Sequence, residues 1–136
     1  MTLLHTIVDK LMLLCKGARS NILTGSEFIT TRVRETDKDN DKKLGRIIKY
    51  LSGMRDLVIT LGSDGTGTVK LWVDAAFAVH HDTKIHTVGM MSMGKGALYS
   101  ASNKQKLKTK SLTEADLAGI NDLMPQKLWM QYFLEA

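Results

Sequence analysis

Two acidic residues stand where carboxylates could support metal-assisted chemistry. Asp74 lies in the middle of the apolar run VKLWVDAAFAV (69–79), and Glu114 follows Ser111 at the S-x-x-E spacing of a helix capping box. Burying an ionised carboxylate is costly unless it is paired, hydrogen-bonded or bound to a metal. If the two side chains meet, they repel each other unless a cation joins them. A pair of hard divalent ions such as magnesium, in oxygen ligands, would resolve that conflict.

A run of lysines suits a polyanionic partner. The segment NKQKLKTK (103–110) has a lysine at every second position, with Gln105 inside the run; the lysines are Lys104, Lys106, Lys108 and Lys110. In an extended chain they share one face at spacings of about 6.6–7 Å, which suits a phosphate backbone. The net charge of +5 and the lack of acidic residues between Asp82 and Glu114 favour such a partner.

Each of these motifs has a simpler structural interpretation. Glu114 fits helix capping without a metal, and Asp74 fits a turn-adjacent or strand-edge position. The lysines fit a solvated edge strand, where positive charge deters aggregation. The histidines of HHDTKIH (80–86) match no standard metal spacing and indicate a polar loop.

Composition excludes several kinds of site. The single cysteine, Cys15, rules out an internal disulfide and a multi-cysteine zinc site. No apolar run approaches the ~18 residues of a membrane span, so no membrane partner is expected.

The predicted secondary structure changes near Gly53, from helices before it to strands after it. Helical periodicity predicts one helix over 2–16, a second from Ser20 or Asn21, and a third after TDKDND that ends at Gly53. Alternation then predicts strands in RDLVITL (55–61), TVKLWVDAAFAVH (68–80), HTVGMMSMG (86–94) and GALYSASNKQKLK (96–108). A helix follows from Ser111 to the end of the sequence, and Pro125 is expected to kink or split it near Met124.

These elements predict a junction between sheet and helix. Alternation places Asp74 on one face of its strand, in a row with Lys70, Trp72 and Ala76. Glu114 lies one turn before Leu117 and is expected to point along the face that packs on the sheet. The expected apolar stripe of this helix is Leu117, Ile120, Met124 and Leu128, and the expected core aromatics are Trp129, Tyr132 and Phe133.

The chain resembles Copia-type retrotransposon polyproteins. VDAAFA (73–78), HTVGMMSMGKGALYSASNKQKLKTKSLTEADLAG (86–119) and LWMQYFLEA (128–136) are similar to that family's RNase H-like domain. The family patterns are V-D-A-D-W-A, S-x-K-Q-K, S-S-T-E-A-E and L-W-x-x-x-L-L. HTIVDKLMLLCKGARSN (5–21) and FITTRVRETDKDNDKKLGRIIKYLSGMRDL (28–57) resemble the segment that joins the reverse transcriptase to this domain.

The resemblance implies a function and its residues. Asp74 takes the place of the first-strand catalytic aspartate, and Glu114 that of the glutamate opening the first helix. In the family these residues help to hold two magnesium ions that activate water to cut RNA in RNA–DNA hybrids. Lys104, Gln105, Lys106, Lys108 and Lys110 are the implied nucleic-acid-binding residues. The implied location is intracellular, in the cytoplasm or the nucleus.

The chain also departs from the family pattern. Ala76 and Phe77 replace Asp and Trp, Leu112 and Asp116 replace Ser and Glu, and Ser20 and Asn21 replace an upstream Pro-Asp. The family's two further metal-binding aspartates have no counterpart before Ala136. The catalytic set is therefore incomplete, and the expected activity of this fragment is weak or absent. The alternatives are a non-catalytic, basic nucleic-acid-binding remnant and an inactive pseudogene product.

Together these observations predict an α/β protein. Residues 1–53 are expected to form a helical connection segment, and residues 54–136 the N-terminal half of an RNase H-like domain. That half has three antiparallel strands and one long helix. An incomplete sheet has an unpaired edge, so marginal stability or self-association through that edge is expected.

Overall fold

The computed structural model describes residues 3–33, 37–76, 79–80 and 82–136. The chain forms two compact units, Met1–Ile59 and Thr60–Ala136. The predicted boundary after Gly53 falls a few residues earlier. The predicted helix start at Thr2, the predicted strand positions Phe77 and Ala78, and His81 lie outside the described residues.

The first unit is helical. It contains α1 (Leu3–Gly17), a short 3₁₀ helix (Ser20–Ile22), α2 (Leu23–Thr30) and α3 (Lys38–Gly53). The three predicted helices are therefore present, and the Asp37 side chain caps α3 by accepting a hydrogen bond from the Asn40 backbone N–H at 2.7 Å. Apolar residues of these helices and Val33, in the turn after α2, form one core of Val8, Leu11, Cys15, Ile22, Leu23, Ile29, Val33 and Leu44.

Gly45 lies in the middle of α3 where no packing requires a glycine. The position is exposed, and a Cβ atom added there would meet nothing within 4 Å. We expect Gly45→Ala to raise the free energy of unfolding by about 0.5–1 kcal/mol, because alanine loses less backbone entropy in a helix. Thermal unfolding followed by far-UV circular dichroism measures this gain. A lower melting temperature for Gly45→Ala would contradict the prediction.

The second unit combines sheets with one helix. Strands β2 (Lys70–Ala76), β3 (His86–Ser92) and β5 (Tyr99–Lys104) form an antiparallel sheet in the order β2-β3-β5. Strands β1 (Gly62–Ser63) and β4 (Gly94–Lys95) form a two-stranded antiparallel ribbon, and α4 (Leu112–Glu135) follows. The described chain is thus mixed α/β, with three antiparallel strands and a long helix as predicted.

One prediction about these elements is wrong, and another is wrong in part. The segment RDLVITL forms no strand, and its apolar residues Leu57, Val58, Ile59 and Leu61 are exposed. Pro125 does not split the last helix, which runs without interruption from Leu112 to Glu135, and a kink near Met124 remains a prediction.

The helix α4 packs on the sheet through small residues. Its buried positions are Ala115, Gly119 and Leu123. A Cβ atom on Gly119 would lie 2.8 Å from Thr87 Cγ2 and 3.1 Å from Val73 Cγ1, so helix and sheet approach closely at this point. The predicted stripe is not the packing face, because Leu117 is 63% exposed, and Trp129, Tyr132 and Phe133 are also largely exposed.

Two further observations bear on partners. In the described residues no helix has both the length and the apolar character needed to cross a bilayer. Within the three-stranded sheet β2 and β5 are the outer strands. Self-association through such an edge therefore remains a prediction.

Candidate metal and nucleic-acid sites

Asp74 lies on the open face of the three-stranded sheet. Its strand neighbours turn the other way: Val73 approaches α4 near Gly119, and Ala75 is buried with Ile85 and Ala115. Because side chains alternate along a strand, Asp74 points away from α4, and its side chain is exposed. The carboxylate is therefore in contact with solvent. The energetic cost of burying a charge, which the apolar sequence around Asp74 suggested, does not arise.

Glu114 lies in the first turn of the helix that follows the sheet, and Ser111 is its N-cap. Ser111 Oγ accepts a hydrogen bond from the Glu114 backbone N–H at 3.2 Å. In return, the Lys110 backbone N–H donates to Glu114 Oε2 at 2.7 Å. Ser111 therefore caps the helix as predicted, while the Glu114 carboxylate binds the N–H of the residue before the N-cap; a metal-binding role of Glu114 stays a prediction. The prediction that Glu114 lies on the packing face is wrong, because its side chain is exposed and the neighbouring Ala115 is the buried residue.

The two carboxylates have the right chemistry for magnesium. Hard carboxylate oxygens suit this ion, which often takes only one or two protein carboxylates and completes its shell with water and substrate phosphate. Among the described residues, no group of three or more histidine, cysteine, aspartate or glutamate side chains is placed to hold a metal ion. Asp74 points away from the helix that carries Glu114, and no contact joins the two side chains in the described residues, so joint binding remains a prediction.

The lysine run does not form one extended ladder. Strand β5 ends at Lys104, and the chain from 105 to 111 forms bends and irregular structure before α4 begins. The alternation that would place the lysines on one strand face therefore ends at Lys104, although it was expected to continue to Lys110. Lys106, Lys108 and Lys110 are exposed, so three cations remain available on this connection.

Lys104 and Gln105 have local partners. Lys104 Nζ lies 2.9 Å from Asp82 Oδ2, and this hydrogen-bonded cation holds the pKa of the Asp82 carboxyl below its usual range. Gln105 is 3% exposed, and its Nε2 donates to Thr87 Oγ1 at 2.7 Å and to the Ala115 carbonyl at 2.9 Å. Gln105 thus joins sheet and helix from the interior, which is incompatible with the predicted surface contact to nucleic acid.

Sequence reasoning missed a buried polar cluster formed by His80, His86 and Ser102. His80 Nε2 lies 3.1 Å from His86 Nδ1, and His86 Nε2 lies 2.6 Å from Ser102 Oγ. All three residues are buried. Burial, with a smaller contribution from the charge of His80, lowers the pKa of His86 to about 4. The polar loop predicted for these histidines is wrong for His86, which begins β3; its alternation with Val88 and Met90 could have indicated its face, but not its burial.

Comparisons with known proteins name no relative. Searches against protein-family models, curated proteins and solved structures found no match to this chain.

Proposed function

We propose that this chain is a piece of a Copia-type retrotransposon polyprotein. Its second unit is then the N-terminal part of an RNase H-like ribonuclease that acts on RNA–DNA hybrids. The observation that carries this proposal is the order of elements around the two acidic residues. An antiparallel sheet whose first long strand bears Asp74 is followed by a helix that packs on it and carries Glu114 in its first turn.

The proposed chemistry uses Asp74 and Glu114 as oxygen donors. Both side chains are exposed, so each carboxylate can reach a hydrated ion without prior opening of the fold. Magnesium bound there would polarise a water molecule and the scissile phosphate. The Lys110 backbone N–H already donates a hydrogen bond to Glu114 Oε2. The other carboxylate oxygen of Glu114 is therefore the better placed ligand for a metal ion. With two of the family's four acidic ligands, this chain alone has weak activity at most.

A metal-binding experiment distinguishes a shared metal site at Asp74 and Glu114 from a role of Glu114 at the helix start alone. We expect Mn²⁺, used as a paramagnetic substitute for Mg²⁺, to broaden the amide resonances of residues 73–75 and 113–115 together. The broadening should disappear in Asp74→Asn and be reversed by excess Mg²⁺. Asp56→Asn, an exposed aspartate outside both elements, is the control and should change nothing. Broadening near only one of the two carboxylates would overturn the shared site.

Cleavage is tested on an RNA–DNA hybrid with the RNA strand labelled. Any Mg²⁺-dependent cleavage should fall below detection in Asp74→Asn, because the amide is neutral and a much poorer ligand. Cleavage that survives this substitution would show that another group or a contaminant is responsible.

The exposed lysines favour a second function, non-catalytic binding of nucleic acid. Lys106, Lys108 and Lys110 lie in a segment with no acidic residue between Asp82 and Glu114. Phosphate contacts of this kind give affinity without sequence specificity and depend strongly on salt. This binding does not require the carboxylates, so it should persist in Asp74→Asn.

Neutralising these lysines tests the binding surface. We expect the triple variant Lys106→Gln, Lys108→Gln, Lys110→Gln to bind a hybrid more weakly, and the slope of log K against log salt to fall by about one per lost contact. The matched control changes three exposed lysines of the helical unit, Lys10→Gln, Lys42→Gln and Lys49→Gln, and alters net charge equally. Equal losses in both variants would point to net charge rather than to this surface.

A further inference from the structure

The second half of α4 carries an exposed aromatic surface. Leu128, Trp129, Tyr132 and Phe133 occupy positions i, i+1, i+4 and i+5, which share one side of a helix. The three aromatic side chains are 64%, 65% and 65% exposed in chain order, and the buried positions of α4 all come before residue 124. We call these four side chains the aromatic patch.

The aromatic patch has a defined shape and a polar border. The rings of Trp129 and Phe133 stack with their centroids 5.6 Å apart and their planes 13° apart. Along the neighbouring row of the helix, Lys127 Nζ donates to Gln131 Oε1 at 3.3 Å, and Gln131 Nε2 donates to Glu135 Oε1 at 3.0 Å. An aromatic centre with polar side chains at its border is the usual composition of a protein–protein interface.

The charge of α4 argues against a polyanionic partner at this patch. Residues 112–135 contain four carboxylates and one lysine, which gives a formal charge of −3. Phosphate backbones and anionic membrane surfaces are bound by clustered lysine and arginine, and this helix has no such cluster. Residues 128–134 include no charged side chain, so two copies of the patch can meet without direct repulsion.

The size of the aromatic patch matches what a dimer requires. An aromatic side chain buries about 150–250 Å², so three that are about two thirds exposed offer roughly 300–500 Å². Since apolar atoms make up about 60% of an interface, each copy would bury roughly 500–800 Å² in all. Two copies together would then bury about 1,000–1,600 Å², which reaches the range of specific interfaces.

We propose that the aromatic patch is the contact between two copies of this chain, related by a two-fold axis, with Trp129 of each copy near its centre. A two-fold contact uses the same surface on both copies and closes with two of them. Aromatic rings suit such a contact because they pair favourably with one another in offset or edge-to-face arrangements. The contact is distinct from association through the sheet edge, and it does not depend on the proposed nuclease function.

Sedimentation equilibrium of the full chain tests the dimer. We expect a reversible dimer with a dissociation constant of about micromolar order, the weak end for interfaces of this size. Trp129→Lys should raise that constant about tenfold or more, because it buries an unpaired charge on both copies. The matched control is Leu117→Lys, on the same helix and 63% exposed, which lies about 18 Å from Trp129 along the axis and should change nothing. A monomer at every concentration up to about 1 mM, or equal weakening by both substitutions, would overturn the proposal.

Salt dependence distinguishes contact between two patches from docking of the acidic α4 on the more basic first unit of another copy. Because the patch is apolar, the dimer should keep its affinity or gain some between about 0.05 M and about 0.5 M salt, as ions screen the repulsion between two acidic helices. A dimer that weakens steadily with salt would refute the two-fold contact.

Tryptophan fluorescence locates the contact without introducing a charge. Trp72→Phe leaves Trp129 as the only tryptophan, and Trp129→Phe leaves Trp72, which lies in the outer strand β2. As the protein concentration rises through the dissociation constant, the emission of Trp129 should move to shorter wavelength and that of Trp72 should stay constant. A shift of Trp72 emission, which would indicate association at the sheet edge, or no shift of Trp129 emission, would contradict the proposal.

Discussion

Replacing Gly89 by valine should destabilise the second unit by about 2–3 kcal/mol. Gly89 lies on the central strand β3, between Val73 of β2 and Ala101 of β5. A Cβ atom there would come closer than 3.0 Å to Cδ1 of Leu123, which is only 3% exposed and has little room to move. The preference of valine for strands is worth at most about 1 kcal/mol. The steric conflict with Leu123 is larger, so the substitution lowers the free energy of unfolding.

A double-mutant cycle tests the contact between Gly89 and Leu123. Leu123→Ala alone should cost about 2–5 kcal/mol by leaving a cavity. In that background Gly89→Val should cost much less, because the valine side chain occupies the vacated space, giving a coupling of about 0.5–3 kcal/mol. Urea unfolding of the four proteins provides the free energies.

A matched control is Gly62→Val, in the two-stranded ribbon. A Cβ atom at Gly62 meets only ordinary contacts, the nearest at 3.6 Å from Lys95, and its effect should stay within about 0.5 kcal/mol. Additive losses at Gly89 and Leu123, or equal losses at Gly89 and Gly62, would contradict the proposed packing.

Gln105→Leu should lower the free energy of unfolding by about 1–3 kcal/mol. Leucine keeps most of the buried volume but removes the hydrogen bonds to Thr87 Oγ1 and to the Ala115 carbonyl. Part of this loss is offset, because Gln105 Oε1 is itself buried and accepts no hydrogen bond from the described residues. The net effect is therefore smaller than the sum of two broken bonds.

The neighbouring lysine supplies the control for Gln105. Lys106→Gln changes an exposed residue and should leave stability within about 0.5 kcal/mol while weakening nucleic-acid binding. Gln105→Leu should show the reverse pattern when binding is measured well below its melting temperature. A stable Gln105→Leu protein that binds a hybrid poorly would restore Gln105 to the binding surface.

The features that could be predicted from the sequence are mostly local ones. Asp37 and Ser111 mark helix starts because an N-cap depends on residues within one turn. The three long strands were predicted from alternation, which each strand carries in its own sequence. RDLVITL has similar apolar content but no strand partner among the residues that the structure describes, and pairing is not encoded in the segment itself.

The packing face of α4 could not be read from hydrophobicity. The close approach to the sheet favours small side chains, so Ala115 and Gly119 are buried while the larger Leu117 and Trp129 are exposed. Because Ala115 faces the sheet, Glu114, one position before it, lies off the packing face. Its place in the candidate metal site therefore rests on the resemblance and not on helical periodicity.

The histidine cluster and Gln105 were missed for a common reason. Polar residue types suggest exposure, yet His86 and Gln105 are buried because other elements cover them and satisfy their nitrogens. The covering groups come from the turn before β3 and from α4. Such burial is a property of the assembled fold and leaves no pattern in the nearby sequence.

The placement of Cys15 has a practical consequence for following the two units separately. The thiol is 3% exposed in the helical core, and burial raises its pKa, which suppresses the reactive thiolate. Alkylation of this single cysteine therefore reports the opening of the first unit. Both tryptophans, Trp72 and Trp129, lie in the second unit, so their fluorescence reports that unit in the same sample.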